Sequence, residues 1–333
     1  MREIGSEFWD VPTGSKENGV FPETTQWYLS GRSVLKAIVS ELKNCRTVAM
    51  PSLCCDSMII PFTDAGLQVC FYPVYWDKEL IQNITLDCDV LFLMDYFGYT
   101  GALPDLSEYH GVVIRDVTHS VFSASYDDAD YMFGSLRKWC GVFTGGFAWK
   151  KAGSTLPAAD SKASEYIALR EQAMNLKRAY INRPEEHDKS FLGIFRKAEE
   201  YLESVGIPAA SERDVIMAKT LDVPWMKSVR RRNAAILRSA FPEWLLFPKM
   251  EENDCPMFVP VLVPDGKRDA LRRYLIENEI YCPVHWPENE FIRLDERTSR
   301  IYRDELSLVC DQRYSEEDMV HIIKTIESFR KEA

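Results

Sequence analysis

The sequence predicts an α/β fold. A large domain is built on a mostly parallel sheet flanked by helices, and a smaller α/β domain follows it. Three observations predict this. Short apolar runs of strand length alternate with helical segments over the first half of the chain. Runs such as "DVLFLM" are continuously apolar, as in strands covered on both faces. From about Ser161 the texture changes to long amphipathic helices, and a β-α-β-α tail closes the chain. At 333 residues the chain suits one large and one smaller domain. The expected large domain spans residues 26–206 and the small one 207–333, with residues 1–25 packing nearby.

Each element has its own signal. "SGRSVLKAIVSELKN" opens with Ser-Gly and then sets Val34, Leu35, Ile38 and Leu42 at helical spacing. "RTVAM" is a short buried strand, "SLCCDSMIIPFTDAG" a helix ending at Gly66, and "LQVCFYPV" the next strand. "DVLFLMDYF", "GVVIRDV", "YMFGSL" and "GGFAWK" are strands in turn. "ASEYIALREQAMNLKRAYI", "KSFLGIFRKAEEYLESVG" and "PWMKSVRRRNAAILRSAF" are helices. The Arg230-Arg231-Arg232 run in the last is expected on a solvated face. The tail gives a strand "MFVPVLV", a helix "GKRDALRRYLIENE", a strand near "IYCPVHW" and a last helix from Ser315.

Composition narrows the function. Apolar residues make up 46%, enough for a substantial core. The net charge of −11 repels phosphate backbones, so nucleic acid is not an expected partner. Nine cysteines, an odd number without a regular framework, do not form a disulfide scaffold. The Cys54-Cys55 pair has no histidine at metal-ligand spacing, and no metal is expected. Free thiols in apolar runs suggest a reducing compartment. No apolar run approaches a membrane span, and the N-terminus has no apolar core of a secretory signal. A cytoplasmic location is the expectation.

Ligands of open α/β sheets bind at the carboxyl ends of strands. Those ends deliver Asp95 and Tyr96, then Asp116, then Ser135 and Lys138. "SGRS" places backbone N–H groups, Ser30 and Ser33 at a helix start, a natural phosphate site. A lysine, an upstream aspartate and a hydroxyl-rich helix start together suit pyridoxal 5′-phosphate (PLP). The lysine amine condenses with the aldehyde, and the aspartate pairs with the pyridine nitrogen so that the ring acts as an electron sink. Burial and the neighbouring Arg137 are expected to help the lysine lose its proton.

Here the chain resembles a known family. "SGRSVLKAI", "MPSLCCDSMIIPFTDAGLQVCFYPV", "RDVTHSVFS", "SLRKWCGVFTGGFAW", "IYCPVHWP" and "LSLVCDQRYSEEDM" resemble, in order, elements of the DegT/DnrJ/StrS sugar aminotransferases, which have the fold-type-I PLP architecture with a seven-stranded sheet. The resemblance implies that Lys138 carries PLP and that Asp116 meets the pyridine nitrogen. It implies that His119 sits near the ring hydroxyl, and that Gly31, Arg32, Ser33 and Ser135 surround the phosphate. The usual ring-stacking aromatic is replaced by Cys55. The Gly-Tyr-Asn-Tyr-Arg element that reaches a neighbouring subunit is not evident. A homodimer is implied, as are an amino-acid donor, most simply glutamate, and a keto sugar nucleotide acceptor. His285, Trp286 and Arg313 are candidates for the substrate mouth.

Two other classes compete. Ser135-x-x-Lys138 matches an acyl hydrolase, with "YIN" (residues 180–182) as its second element, but no Lys-Thr-Gly strand occurs. A PLP fold reused for binding or regulation is the non-enzymatic alternative, against which stand the retained lysine and aspartate. Other PLP chemistry, such as dehydration, stays open on these residues.

Overall fold

A computed structural model describes residues 3–84, 87–101, 105–123, 129–151 and 155–332. Seven strands form the body of the main sheet. They are β1 (Gln26–Tyr28), β2 (Thr47–Pro51), β3 (Gln68–Tyr72), β4 (Val90–Met94), β5 (Val112–Asp116), β6 (Tyr131–Ser135) and β7 (Gly146–Lys150). Their spatial order is β1-β7-β6-β5-β4-β2-β3, with the two-residue strands Pro208–Ala209 and Ser161–Lys162 added beyond β1. The pairs from β3 through β6 are parallel, and β7 runs antiparallel to both β6 and β1. The mostly parallel sheet is as the sequence predicts and its seven main strands are as the family resemblance implies, although β1 had no strand signal of its own.

Helix α1 (Gly31–Val39) starts where β1 ends, capped by Ser30, whose hydroxyl accepts the Ser33 N–H at 3.2 Å. Its Val34, Leu35, Ala37 and Ile38 are buried against the sheet with Phe92, Ile114 and Phe133. Helix α2 (Asp56–Asp64) begins later than the sequence suggests, because the chain bends at Ser52 and Leu53 and Cys55 is extended before it. Next come α3 (Ser164–Asn182) and α4 (Phe191–Ser204), long helices which pack together, then the short α5 (Glu212–Lys219) and the long α6 (Val223–Ala240). The strict alternation of strand and helix is not met. No helix is present among the described residues of the crossovers at 95–111 and 117–130, where turns and extended chain join β4, β5 and β6.

The small domain pairs β8 (Val259–Leu262) with β9 (Glu305–Leu308) in antiparallel register, covered by α7 (Arg268–Glu277), α8 (Glu296–Asp304) and α9 (Glu316–Glu332). Helix α8 and β9 had no signal in the sequence reading. The N-terminal segment belongs to this region, since Ile4 and Gly5 pair in parallel with Ile280 and Tyr281. The arginine run corrects an expectation. Arg230 is fully buried, stacked 4.5 Å over Trp139 and bonded to Gln312 Oε1 at 2.7 Å and to the carbonyls of Pro256 and Met257. One position of a helical run faces inward because 3.6 residues complete a turn. All nine cysteines are free, and Cys54, Cys140, Cys255, Cys282 and Cys310 are buried. Among the described residues no helix is long and apolar enough to cross a membrane.

Candidate active site

Strand β6 ends at Ser135, a single tight turn carries Leu136–Lys138, and β7 brings the chain back. The Gly-Gly after the lysine has a steric reason. A Cβ on Gly146 would stand 2.3 Å from the Ser30 carbonyl oxygen, so only glycine lets β7 pass the start of α1. The turn is tied to the neighbouring strand end. Trp139 Nε1 donates to the Thr118 carbonyl at 2.7 Å, while the Thr118 N–H donates to Asp116 Oδ1 at 2.7 Å. Thr118 thus sets the aspartate and the lysine turn relative to each other. From the far side, Arg230 and Gln312 both donate to the Trp139 carbonyl.

These elements enclose a cavity of about 340 Å³. One end is the helix start, with Ser30, Gly31, Arg32 and Ser135. A Cβ on Gly31 would lie 3.5 Å from Ser135 Cβ, so the two residues form one narrow cradle under the exposed N–H groups of α1. The other end holds Asp116, Thr118, His119, Cys55 and Trp286. Lys138 lines the same cavity, and it is exposed rather than buried, which corrects the expectation of a buried amine. Ser33 does not line the cavity. It is buried behind Ser30, where it completes the cap. Asp95, the other strand-end carboxylate, is engaged elsewhere in a two-point pair with Arg115.

The electrostatics separate the groups. Burial pushes the Asp116 carboxyl up to about 6, the N–H of Thr118 opposing it. Burial, with the charge of Lys138 adding, lowers the His119 imidazole to about 3, so it is neutral. Its ring stacks on Trp286 at 5.3 Å and 18°, and its buried Nδ1 has no hydrogen-bond partner among the described residues. Cys55 lies at the N-cap of α2 with its thiol 3.0 Å from the Ser57 hydroxyl; burial raises that thiol. A cysteine offers no ring face; the rings lining the cavity are Phe133, His119 and Trp286.

Two charged residues outside the sequence prediction, Glu7 and Glu199, line this cavity beside Arg137, which the sequence placed next to the lysine. Arg137 pairs with Glu199, and Arg170 with Glu7 at 3.1 Å. Burial works to raise the Glu7 carboxyl, but the charges of Arg170, Arg137 and Lys138 outweigh it and bring it down to about 2. No local pattern marks Glu7, because its partners lie more than a hundred positions away. A second cavity, of about 390 Å³, shares Glu7, Arg137 and Lys138 with the first. His285 and Arg313 lie there, not in the first cavity. Arg313 grips Asp311 at two points and donates to the carbonyls of Ser6 and Glu7, holding the N-terminal segment. Tyr180 and Asn182 line neither cavity; they end α3.

The same architecture occurs in solved aminotransferases. No protein-family model matches the chain, and no curated protein matches its sequence. Among solved structures, the PLP form of a putative sugar aminotransferase, Spr1654 from Streptococcus pneumoniae, is similar with a TM-score of 0.63 at 16% identity, over 97% of this chain and 93% of that one. PseC of Helicobacter pylori, an aminotransferase involved in pseudoaminic acid biosynthesis, reaches 0.66 at 13% identity over 97% and 99%. DesV of S. venezuelae reaches 0.63 at 14% over 92% and 84%. The chain has the fold-type-I aminotransferase fold. The cavity fits the cofactor expected from the sequence. It sets a carboxyl, an amine and a helix N-terminus around one space, and leaves the His119 Nδ1 unpaired inside it.

Proposed function

We propose that the protein is a PLP-dependent aminotransferase that moves an amino group from an amino acid, with glutamate as donor, to a keto sugar carried on a nucleotide. The observation that carries this is the shared cavity: Lys138 and Asp116 open into one space that ends on the N-terminus of α1. When bound, PLP supplies an electron sink for the charge left at a deprotonated substrate carbon. The chain's own groups do the rest. Asp116 provides the buried carboxylate that favours a protonated ring nitrogen. The N–H groups of α1, with Ser30, Ser135 and Arg32, receive the phosphate. Lys138 Nζ takes a proton from the substrate carbon and returns one to it. The neutral imidazole of His119, stacked on Trp286, would hold the ring hydroxyl through its unpaired Nδ1.

The sugar acceptor is supported by the fold neighbours described as sugar aminotransferases and by the ordered motif resemblance. A homodimer and a cytoplasmic location belong to the same reading. An absorbance spectrum of the purified protein, with and without glutamate, tests cofactor and half-reaction together. The expected outcome is a cofactor band that shifts on adding glutamate. A panel of keto nucleotide sugars and simple 2-keto acids then tests the acceptor. Return of the original band with keto acids alone would refute the sugar assignment.

A further inference from the structure

Glu305, at the start of β9, is fully buried and has no part in the site so far described. Its carboxylate accepts the backbone N–H of His285 at 2.7 Å and the hydroxyl of Ser307 at 2.5 Å. The Ser307 hydroxyl lies 2.9 Å from Nδ1 of His285. Ser307 and His285 are buried too. Nε2 of His285 has no hydrogen bond among the described residues. The ring lines the second cavity, which Lys138 also lines, and packs edge-on against His119 at 5.3 Å.

A hydroxyl can donate or accept, and a neutral imidazole carries one proton on either nitrogen. Two arrangements therefore satisfy the row. With Glu305 ionised, Ser307 donates to it, Nδ1–H donates to Ser307, and Nε2 is bare. With Glu305 protonated, every bond reverses and Nε2 carries the proton.

We propose that His285, Ser307 and Glu305 form a proton relay that opens on the cavity shared with Lys138 and exchanges a proton with the oxygen of a substrate carbonyl. The Nε2 proton passes to that oxygen, the Ser307 proton moves to Nδ1, and the Glu305 proton moves to Ser307 Oγ. Three bonds to hydrogen break and three form, Glu305 is left ionised, and the imidazole stays neutral. The reverse transfer recharges the row. The proposal rests on the amino-transfer reading, in which a carbonyl oxygen is lost as water in one half-reaction and regained in the other. The burial of the row suits it. Burial raises Glu305 to about 8, opposed by the His285 N–H, Ser307 and the charge of Arg268 on α7. Burial, with His119 and Lys138 facing the ring, holds His285 well below its ordinary value.

Nitrogen-15 NMR of the histidine-labelled, PLP-loaded protein tests it. As pH rises through about 8, His285 is expected to stay neutral while its proton moves from Nε2 to Nδ1. Glu305→Gln should hold one tautomer throughout and lower kcat roughly 10-fold, with the donor KM unchanged. Ser307→Ala should match it, and Ser307→Thr, which keeps the hydroxyl, should restore the wild-type behaviour. A positively charged His285, a tautomer that switches equally in Glu305→Gln, or an undiminished kcat in both variants would overturn the relay alone. A protein that binds no PLP and transfers no amino group would overturn the amino-transfer reading and the relay's role with it.

Discussion

Two walls face each other across the lysine, and they are built differently. The first comes from the ends of β5 and β6 and the start of α1. Two of the contacts that shape it are local, Asp116 with Thr118 and Ser30 with Ser33. The second comes from the small domain and the N-terminal segment, and chain distant in sequence holds it. The Gly5 N–H donates to the Tyr314 hydroxyl at 2.7 Å, and Arg313 holds Ser6 and Glu7 by their carbonyls. The strand-end wall fixes the groups that must stay aligned through every step. The second wall is held by contacts between segments far apart in the sequence, Gly5 with Tyr314 and Arg313 with Glu7 among them.

The largest expected effect lies on the first wall. Lys138→Ala should lower turnover by roughly 10⁴-fold, since no other lysine among the described residues lines the cavity. Borohydride reduction of the wild type should fix the cofactor on the peptide containing Lys138, and label on a different lysine would refute the assignment. Asp116→Asn comes next. It should leave PLP bound but slow the glutamate half-reaction by about 10²- to 10³-fold, measured by stopped-flow absorbance. An unchanged rate would place the ring nitrogen elsewhere.

The comparison also explains what was legible in the sequence. Strand ends announce themselves, because an apolar run stops at a polar residue. Lys138, Asp116 and Ser135 were found that way, the family resemblance added His119 and Gly31, and all five meet in one cavity. The second wall carries no such signal. Glu7 depends on Arg170, and Glu305 on His285, each a tertiary pairing that periodicity cannot show. Arg230 was misread for the same reason. Its run looks solvated until α6 is docked and one guanidinium turns inward onto Trp139.

Arg230 joins the two walls, so its removal sharpens the comparison. Arg230→Met would leave Gln312 Oε1 and the Met257 carbonyl without the donor they have now, and the Pro256 carbonyl with only the Cys310 thiol. A loss of about 3 kcal/mol is expected from the denaturant midpoint. A loss near zero would show that the lysine turn is held from the strand-end side alone.

The smallest effect is expected at Glu7, and its sign can be worked out. Its carboxyl is held at about 2 in the native protein, against an ordinary value of 4.5. A native carboxyl held low stabilises the fold above 4.5, and that contribution fades as pH falls towards 2. Glu7→Gln should therefore be less stable than the wild type at neutral pH, and the gap should close through the acid range. The side chain is 41% exposed, so water screens its charge and the gap at neutral pH should stay below about 1 kcal/mol. Thermal unfolding of both proteins across that range measures it. A gap that persists unchanged into acid would mean that Glu7 holds the second wall by packing and hydrogen bonding, with its charge of no consequence.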